Sequence, residues 1–195
     1  RYRDAAPSLF SMPGENFYEI GTSDDFVRWA FGMYKAGADA VYCSASYATI
    51  KRMADEAVPV ISHVGLIPSR RTWTGGWKAV GKTAESALAI MDAVRQLEAA
   101  GAIGAEIEVV PVEVAEAISK RTPLLMLSMG AGPGCDAQYL FAEDVLGQNR
   151  GHMPRHSKVY RDFAAEFDRL QAERIAAFSE VGADVGSKAF PQDRH

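Results

Sequence analysis

The chain has 195 residues, 48% of them hydrophobic, and 21 Lys plus Arg against 25 Asp plus Glu give a formal net charge of −4. This suffices for one domain with a sizeable core and excludes a disordered chain or a disulfide-built mini-protein. The negative balance argues against nucleic acid or an anionic membrane as a partner, and no apolar run reaches the roughly 18 residues of a membrane span. The first residues, RYRDAAPSLF, carry no signal-peptide apolar segment. Cys43 and Cys135 lack CxxC spacing and read as reduced thiols of a cytoplasmic protein.

The first apolar run, PSLFSM (7–12), predicts a strand. In TSDDFVRWAFGMYKAG, Thr22 or Ser23 suits an N-cap, with Asp24 and Asp25 in the first turn. Phe26, Ala30, Met33 and Tyr34 recur at helical spacing, and Gly37 is placed to end the helix. DAVYCSA (39–45) predicts a strand, residues 46–56 a short helix and PVISHV (59–64) a strand. PSRRTWTGGWKAVGK (68–82) is a long polar loop bearing Arg70, Arg71, Lys78, Lys82, Trp73 and Trp77, a candidate lid or a plain surface loop. A helix from Thr83 to Ala100 ends at Gly101, and AEIEVV (105–110) is a strand. Pro111 suits the first turn of a helix carrying Val112, Val114, Ala115 and Ile118. LLMLSMG (124–130) is a strand, GAGPGCDAQ a turn-rich loop, and YLFAED a short strand or a helix start. A long amphipathic helix runs from about Lys158 to Val181, and its Phe163, Phe167, Leu170, Ile175 and Phe178 suit an interface or packing on the rest of the domain.

Strands alternating with helices predict parallel βαβ units. KAGADAV (35–41) and AAGAIGA (99–105) repeat a helix end followed by a strand. The pattern suits a (β/α) barrel or an open doubly wound sheet. In both, sites lie at the C-terminal ends of strands. Those ends carry Tyr42, Ser44, His63, Glu106, Glu108 and Ser128. Glu106 and Glu108 share one strand face, as do Tyr42 and Ser44. Buried carboxylates need partners, so the pair reads either as a base with a raised pKa or as partners of a Lys or Arg. His63 reads as a ligand-contacting or a hydrogen-bonded structural residue. GAGPG (130–134) could offer backbone N–H groups to an anion, and His152, Arg155, His156 and Lys158 form a basic cluster.

SHVGLIPSRRTWTGGWKAVGKT, EIEVVPVEVAEAI, GAGPGCDAQYLFAEDVLG and GHMPR, in that order, resemble the ketopantoate (3-methyl-2-oxobutanoate) hydroxymethyltransferase family, as does GSKAFP near the C-terminus. The resemblance implies a (β/α)8 barrel of the phosphoenolpyruvate/pyruvate superfamily, with about six of the βα units in this chain as one domain and the N-terminal units missing. It implies hydroxymethyl transfer from 5,10-methylenetetrahydrofolate to 2-oxoisovalerate or another 2-oxo acid, with Mg²⁺ and a homodecamer. By the same resemblance Glu108 is the base that removes the C3 proton and His63 contacts substrate. The family Lys and Glu of a VKxEGG segment become Tyr42 and Ser44, here assigned to substrate contact. Glu15, beside the position of a family metal-binding Asp, is assigned to the metal. Glu106 is a carboxylate where the family is apolar. These departures leave two further readings open: a C–C lyase acting on another 2-oxo acid without folate, and a catalytically inactive structural relative.

Overall fold

The computed structural model describes residues 8–15 and 20–193. The described residues fall into two compact units, one up to Tyr139 and one from Leu140.

The first unit alternates strand and helix. Helix α1 (Ser23–Lys35) begins at Thr22, whose hydroxyl and backbone form a reciprocal capping box with Asp25. Strand β1 (Val41–Tyr42) leads into α2 (Tyr47–Asp55), capped by Ser46. Strand β2 (Val60–Gly65) is followed by the short helix α3 (Arg71–Thr74) and by α4 (Ala84–Ala99), capped by Thr83 with Ser86. Strand β3 (Gly104–Glu108), α5 (Val112–Ser119), β4 (Leu125–Met129) and β5 (Ala137–Gln138) complete it.

All strand pairs are parallel and the order is β1-β2-β3-β4-β5. A doubly wound sheet reverses its strand order at a switch point. This sheet does not, and it is the wall of a partial (β/α) barrel. The segment before α1 holds a sixth position beside β1: Gly14 bridges Tyr42, Tyr42 donates to Pro13, and Glu15 donates back to Tyr42.

Register sorts the side chains by face. Val41, Val60, Val64, Ala105, Ile107 and Met126 point outward and pack with Ile50, Met53, Ile90, Val94, Leu97, Ala115 and Ile118 of the helices. Tyr42, Ile61, His63, Glu106, Glu108, Leu127 and Met129 occupy the opposite, inner face.

Several expectations need correction. Of the strand expected over 7–12, residues 8–12 form none: Ser11 bonds to Asp39 and Ala40 rather than into a ladder, and the bridge to β1 comes at Gly14; Pro7 lies outside the described residues. The strand expected over 39–45 shrinks to Val41–Tyr42, since the N–H groups of Asp39 and Ala40 both turn to the carbonyl of Ser11. The 68–82 loop contains a 3₁₀ turn at Pro68–Arg70 and then α3. Within the turn-rich loop, Asp136 exchanges two hydrogen bonds with Met126 and so starts β5. In YLFAED the helix reading holds, as α6 (Ala142–Val145).

The second unit carries α7 (Phe163–Ser187), which starts at the Asp162 cap rather than at Lys158. Arg150 grips its first turns through Asp168 at 2.6 and 2.9 Å. No residue of α7 is buried, and Phe167, Ile175 and Phe178 are all exposed.

The repeat seen in sequence is a repeat of geometry. Ala36 and Ala100 cap their helices with the same backbone angles, φ −79° and ψ −6°, and Gly37 and Gly101 follow at φ 96° and 84°. At Gly101 a Cβ would also lie 2.8 Å from the Ala54 Cβ. Gly101→Ala is therefore expected to destabilise the chain by about 1–3 kcal/mol, read from urea unfolding; an unchanged midpoint would contradict the cap assignment.

Candidate active site

Parallel pairing brings the side chains together. Tyr42 ends β1, His63 lies near the end of β2, and Glu106 and Glu108 sit on β3, with His63 opposite Glu106 and Gly65 opposite Glu108. His63, Glu106 and Glu108 are buried, with exposures of 5%, 2% and 8%. The Tyr42 hydroxyl donates to Glu106 Oε2 at 2.5 Å and lies 2.8 Å from His63 Nδ1. Across the ring, His63 Nε2 lies 3.1 Å from Glu108 Oε2 and 3.9 Å from Glu106 Oε1.

With Glu106 ionised, donor and acceptor capacity assigns the protons. An ionised carboxylate only accepts, so Tyr42 donates its one proton to Glu106. The Tyr42 oxygen is then the acceptor for His63 Nδ1–H. In a neutral imidazole this leaves Nε2 as a bare lone pair facing Glu108. Nε2 is within ion-pair distance of Glu108 but outside hydrogen-bond geometry, and it is a buried atom without a hydrogen-bond partner. A proton or a cation between Nε2 and the carboxylates removes this lone-pair conflict.

Burial is the main cause that pushes the Glu106 carboxyl up, with the nearby Glu108 charge adding to it; His63 and the Tyr42 hydroxyl act in the opposite direction. Burial, then the charge of Glu106, drive the Tyr42 phenol far above its ordinary value, so it stays a donor at any working pH. The ligand atoms of His63, Glu106 and Glu108 all lie within 4.8 Å of one another. One imidazole nitrogen and two carboxylate oxygens are a donor set for a divalent cation, and the unpartnered Nε2 fits that use.

Glu15 and Ser44 form a second group. The Glu15 carboxylate accepts the Ser44 N–H at 2.9 and 3.1 Å and its hydroxyl at 3.0 Å. Burial raises the Glu15 pKa, against the hydrogen bonds from Ser44. An Arg70 guanidinium N–H, from the 68–82 loop, donates to the Ser44 carbonyl at 2.9 Å. Glu15 is not one of the three clustered ligands.

The backbone beside Glu108 is strained. Val109 has φ 49°, a region costly for a β-branched residue. It is held there by hydrogen bonds from its N–H to Met129 and from Val80 to its carbonyl. Gly65 at φ 85° lets β2 pass so close that a Cβ would lie 2.4 Å from the Glu108 carbonyl oxygen. Val109→Gly is expected to raise stability by about 1 kcal/mol in urea unfolding; a stability loss would show that Val109 is not strained.

Other candidates fall elsewhere. Ser128 lies on the outer face, where its hydroxyl donates to the Gly132 carbonyl and accepts from Ala131 N–H, so it shapes the GAGPG turn. His152, Arg155, His156 and Lys158 belong to the second unit. Tyr139 was missed: its ring meets Tyr42 edge-on at 6.3 Å, and it follows β5, itself hidden in a turn-rich sequence.

The family model described as ketopantoate hydroxymethyltransferase matches residues 9–193. A protein named 3-methyl-2-oxobutanoate hydroxymethyltransferase from Cenarchaeum symbiosum is 33% identical over 178 residues, covering 90% of this chain and 65% of its own. One from Pyrobaculum neutrophilum is 34% identical over 198 residues, covering 100% and 72%. Another, from Bradyrhizobium diazoefficiens, is 32% identical over 194 residues, covering 98% of this chain and 63% of its own. The chain thus spans about two thirds of the length of the curated relatives it matches. A match over nearly every described residue, together with the parallel sheet that carries the matched motifs, places the chain in the ketopantoate hydroxymethyltransferase family.

Proposed function

We propose that the chain transfers a hydroxymethyl group from 5,10-methylenetetrahydrofolate to a 2-oxo acid such as 2-oxoisovalerate, through the enolate, giving ketopantoate for pantothenate biosynthesis. The observation that carries this reading is the buried Glu108–His63 contact at the ends of adjacent parallel strands. A C–H beside a ketone is weakly acidic, so its removal needs a positioned base and stabilisation of the enolate oxygen. Glu108 takes the C3 proton. His63, Tyr42 and Ser44 bind the substrate oxygens, and Tyr42, at the position of the family Lys, turns its one proton from Glu106 to the substrate when substrate binds. Glu106 and His63 offer ligands for Mg²⁺, and Glu15 adds a carboxylate from the segment beside β1. Mg²⁺, when bound, stabilises negative charge on an enolate oxygen.

The folate co-substrate binds beneath the 68–82 loop. The working form is a cytoplasmic homo-oligomer, a decamer by family resemblance, without nucleic-acid or membrane partners. Among the described residues no helix is long and apolar enough to cross a membrane. The exposed apolar residues of α7 suit contacts between copies.

A second reading is a C–C lyase on another 2-oxo acid without folate, because Tyr42, held by Glu106, and Ser44 stand where the family resemblance places Lys and Glu. Proton NMR of 2-oxoisovalerate with methylenetetrahydrofolate separates the two. Ketopantoate formation supports the transferase; retro-aldol cleavage of 3-hydroxy-2-oxo acids, unaffected by the folate, supports the lyase.

A further inference from the structure

Between β2 and α4, on the outer face of β2, lies a cavity of about 400 Å³ that borders the proposed active site at Ser44 and His63. Its floor is Ser62 and Val64 of β2, and its walls include Ala89, Ile90, Ala93 and Leu97 of α4. The mouth is polar: Ser46 and Tyr47 at the N-terminus of α2, Ser86 in the first turn of α4, and Arg70.

Three features distinguish this space from loose packing. First, Ser62 is 2% exposed and lines the cavity, so a hydroxyl is set in its otherwise apolar floor. Such a hydroxyl can offer an occupant one donor and accept in return. Second, α4 presents small Ala89 and Ala93 where longer side chains would fill the gap. Third, Arg70 uses one guanidinium nitrogen on the Ser44 carbonyl and keeps further N–H donors at the mouth. From Leu66 to Thr83 the chain carries Arg70, Arg71, Lys78 and Lys82 and no acidic residue, within a protein of net charge −4. Of these cations Arg70 lines the cavity, and it is the group that meets an anion there.

We propose that this cavity binds an amphipathic carboxylate: an aliphatic body against α4 and β2, a carboxylate at Arg70 and the α2 N-terminus, and a polar atom reached by Ser62. Ligands of this kind take an apolar cavity with a few placed polar groups. Ser62 and His63 are neighbours on one strand with opposite facings, so an occupant presses on the strand that holds the proposed active-site imidazole. Binding itself does not depend on the proposed reaction.

The test is titration calorimetry of the full chain with decanoate below its micelle concentration. Saturable binding with one site per chain is expected. Decanol, which lacks the charge, should bind at least tenfold more weakly. Ala93→Phe should weaken decanoate binding at least tenfold with the far-ultraviolet circular dichroism kept, and Ala89→Trp, a substitution at an exposed rim position, should do the same if Ala93→Phe fails to fold. Absence of saturable decanoate binding, equal affinity for decanol, or wild-type affinity in the folded cavity-filling variant would each overturn the proposal.

Discussion

Glu108→Gln should lower C3 proton exchange of 2-oxoisovalerate by at least about a hundredfold, the contribution of a positioned general base. The fold should survive. Gln has nearly the same shape, and the substitution removes one of two neighbouring buried carboxylates, the one whose charge helps push Glu106 up. The Gln amide can also donate toward His63 Nε2, which now lacks a partner. Stability within about 0.5 kcal/mol of the parent is therefore expected in urea unfolding. Undiminished exchange in the folded variant would remove Glu108 from the mechanism, and loss of the folded state would show that its main work is structural.

Tyr42→Phe carries the second large effect, on stability. The phenol joins β1 to β2 and β3 through His63 and Glu106. Phe keeps the ring contacts with Tyr139 but withdraws the proton from a carboxylate that is 2% exposed and the acceptor from His63 Nδ1. Buried groups left without partners cost about 1–3 kcal/mol, more when charged. The loss should shrink in the double variant Tyr42→Phe/Glu106→Leu, where no orphaned carboxylate remains. Urea unfolding of the set gives the coupling. A Tyr42→Phe loss under about 0.5 kcal/mol, the range of ordinary surface substitutions, would contradict the network.

Much of the fold was legible because local chemistry and burial agreed. Thr22, Thr83 and Ser46 cap where short polar side chains precede apolar helical spacing. Gly37 and Gly101 end helices because both need positive φ. The short strands were less legible. β5 is held by Asp136 against Met126, a long-range pairing that a sequence of Gly, Pro and Asp conceals. The strand expected over 7–12 did not form, and the chain bridges β1 only at Gly14, beyond the apolar run that suggested it.

In the site, period-two spacing put Glu106 and Glu108 on one face, and register supplied the partner that spacing cannot: His63, from β2, faces both. Neither Lys nor Arg joins this cluster, which excludes the ordinary pairing of those carboxylates among the described residues. The Tyr42–Glu106 bond was not legible, since it reaches from β1 past β2 to β3, between residues far apart in the chain. The strain at Val109 was equally hidden, because nothing in the residue type announces a positive φ.

The most direct test of the account is deuterium exchange at C3 of 2-oxoisovalerate in D₂O, followed by proton NMR on the intact chain with and without Mg²⁺. The account predicts loss of the C3 proton signal that is faster with Mg²⁺ and abolished in Glu108→Gln. A folded wild-type chain that leaves the C3 proton in place, with Mg²⁺ and tetrahydrofolate present, would contradict it.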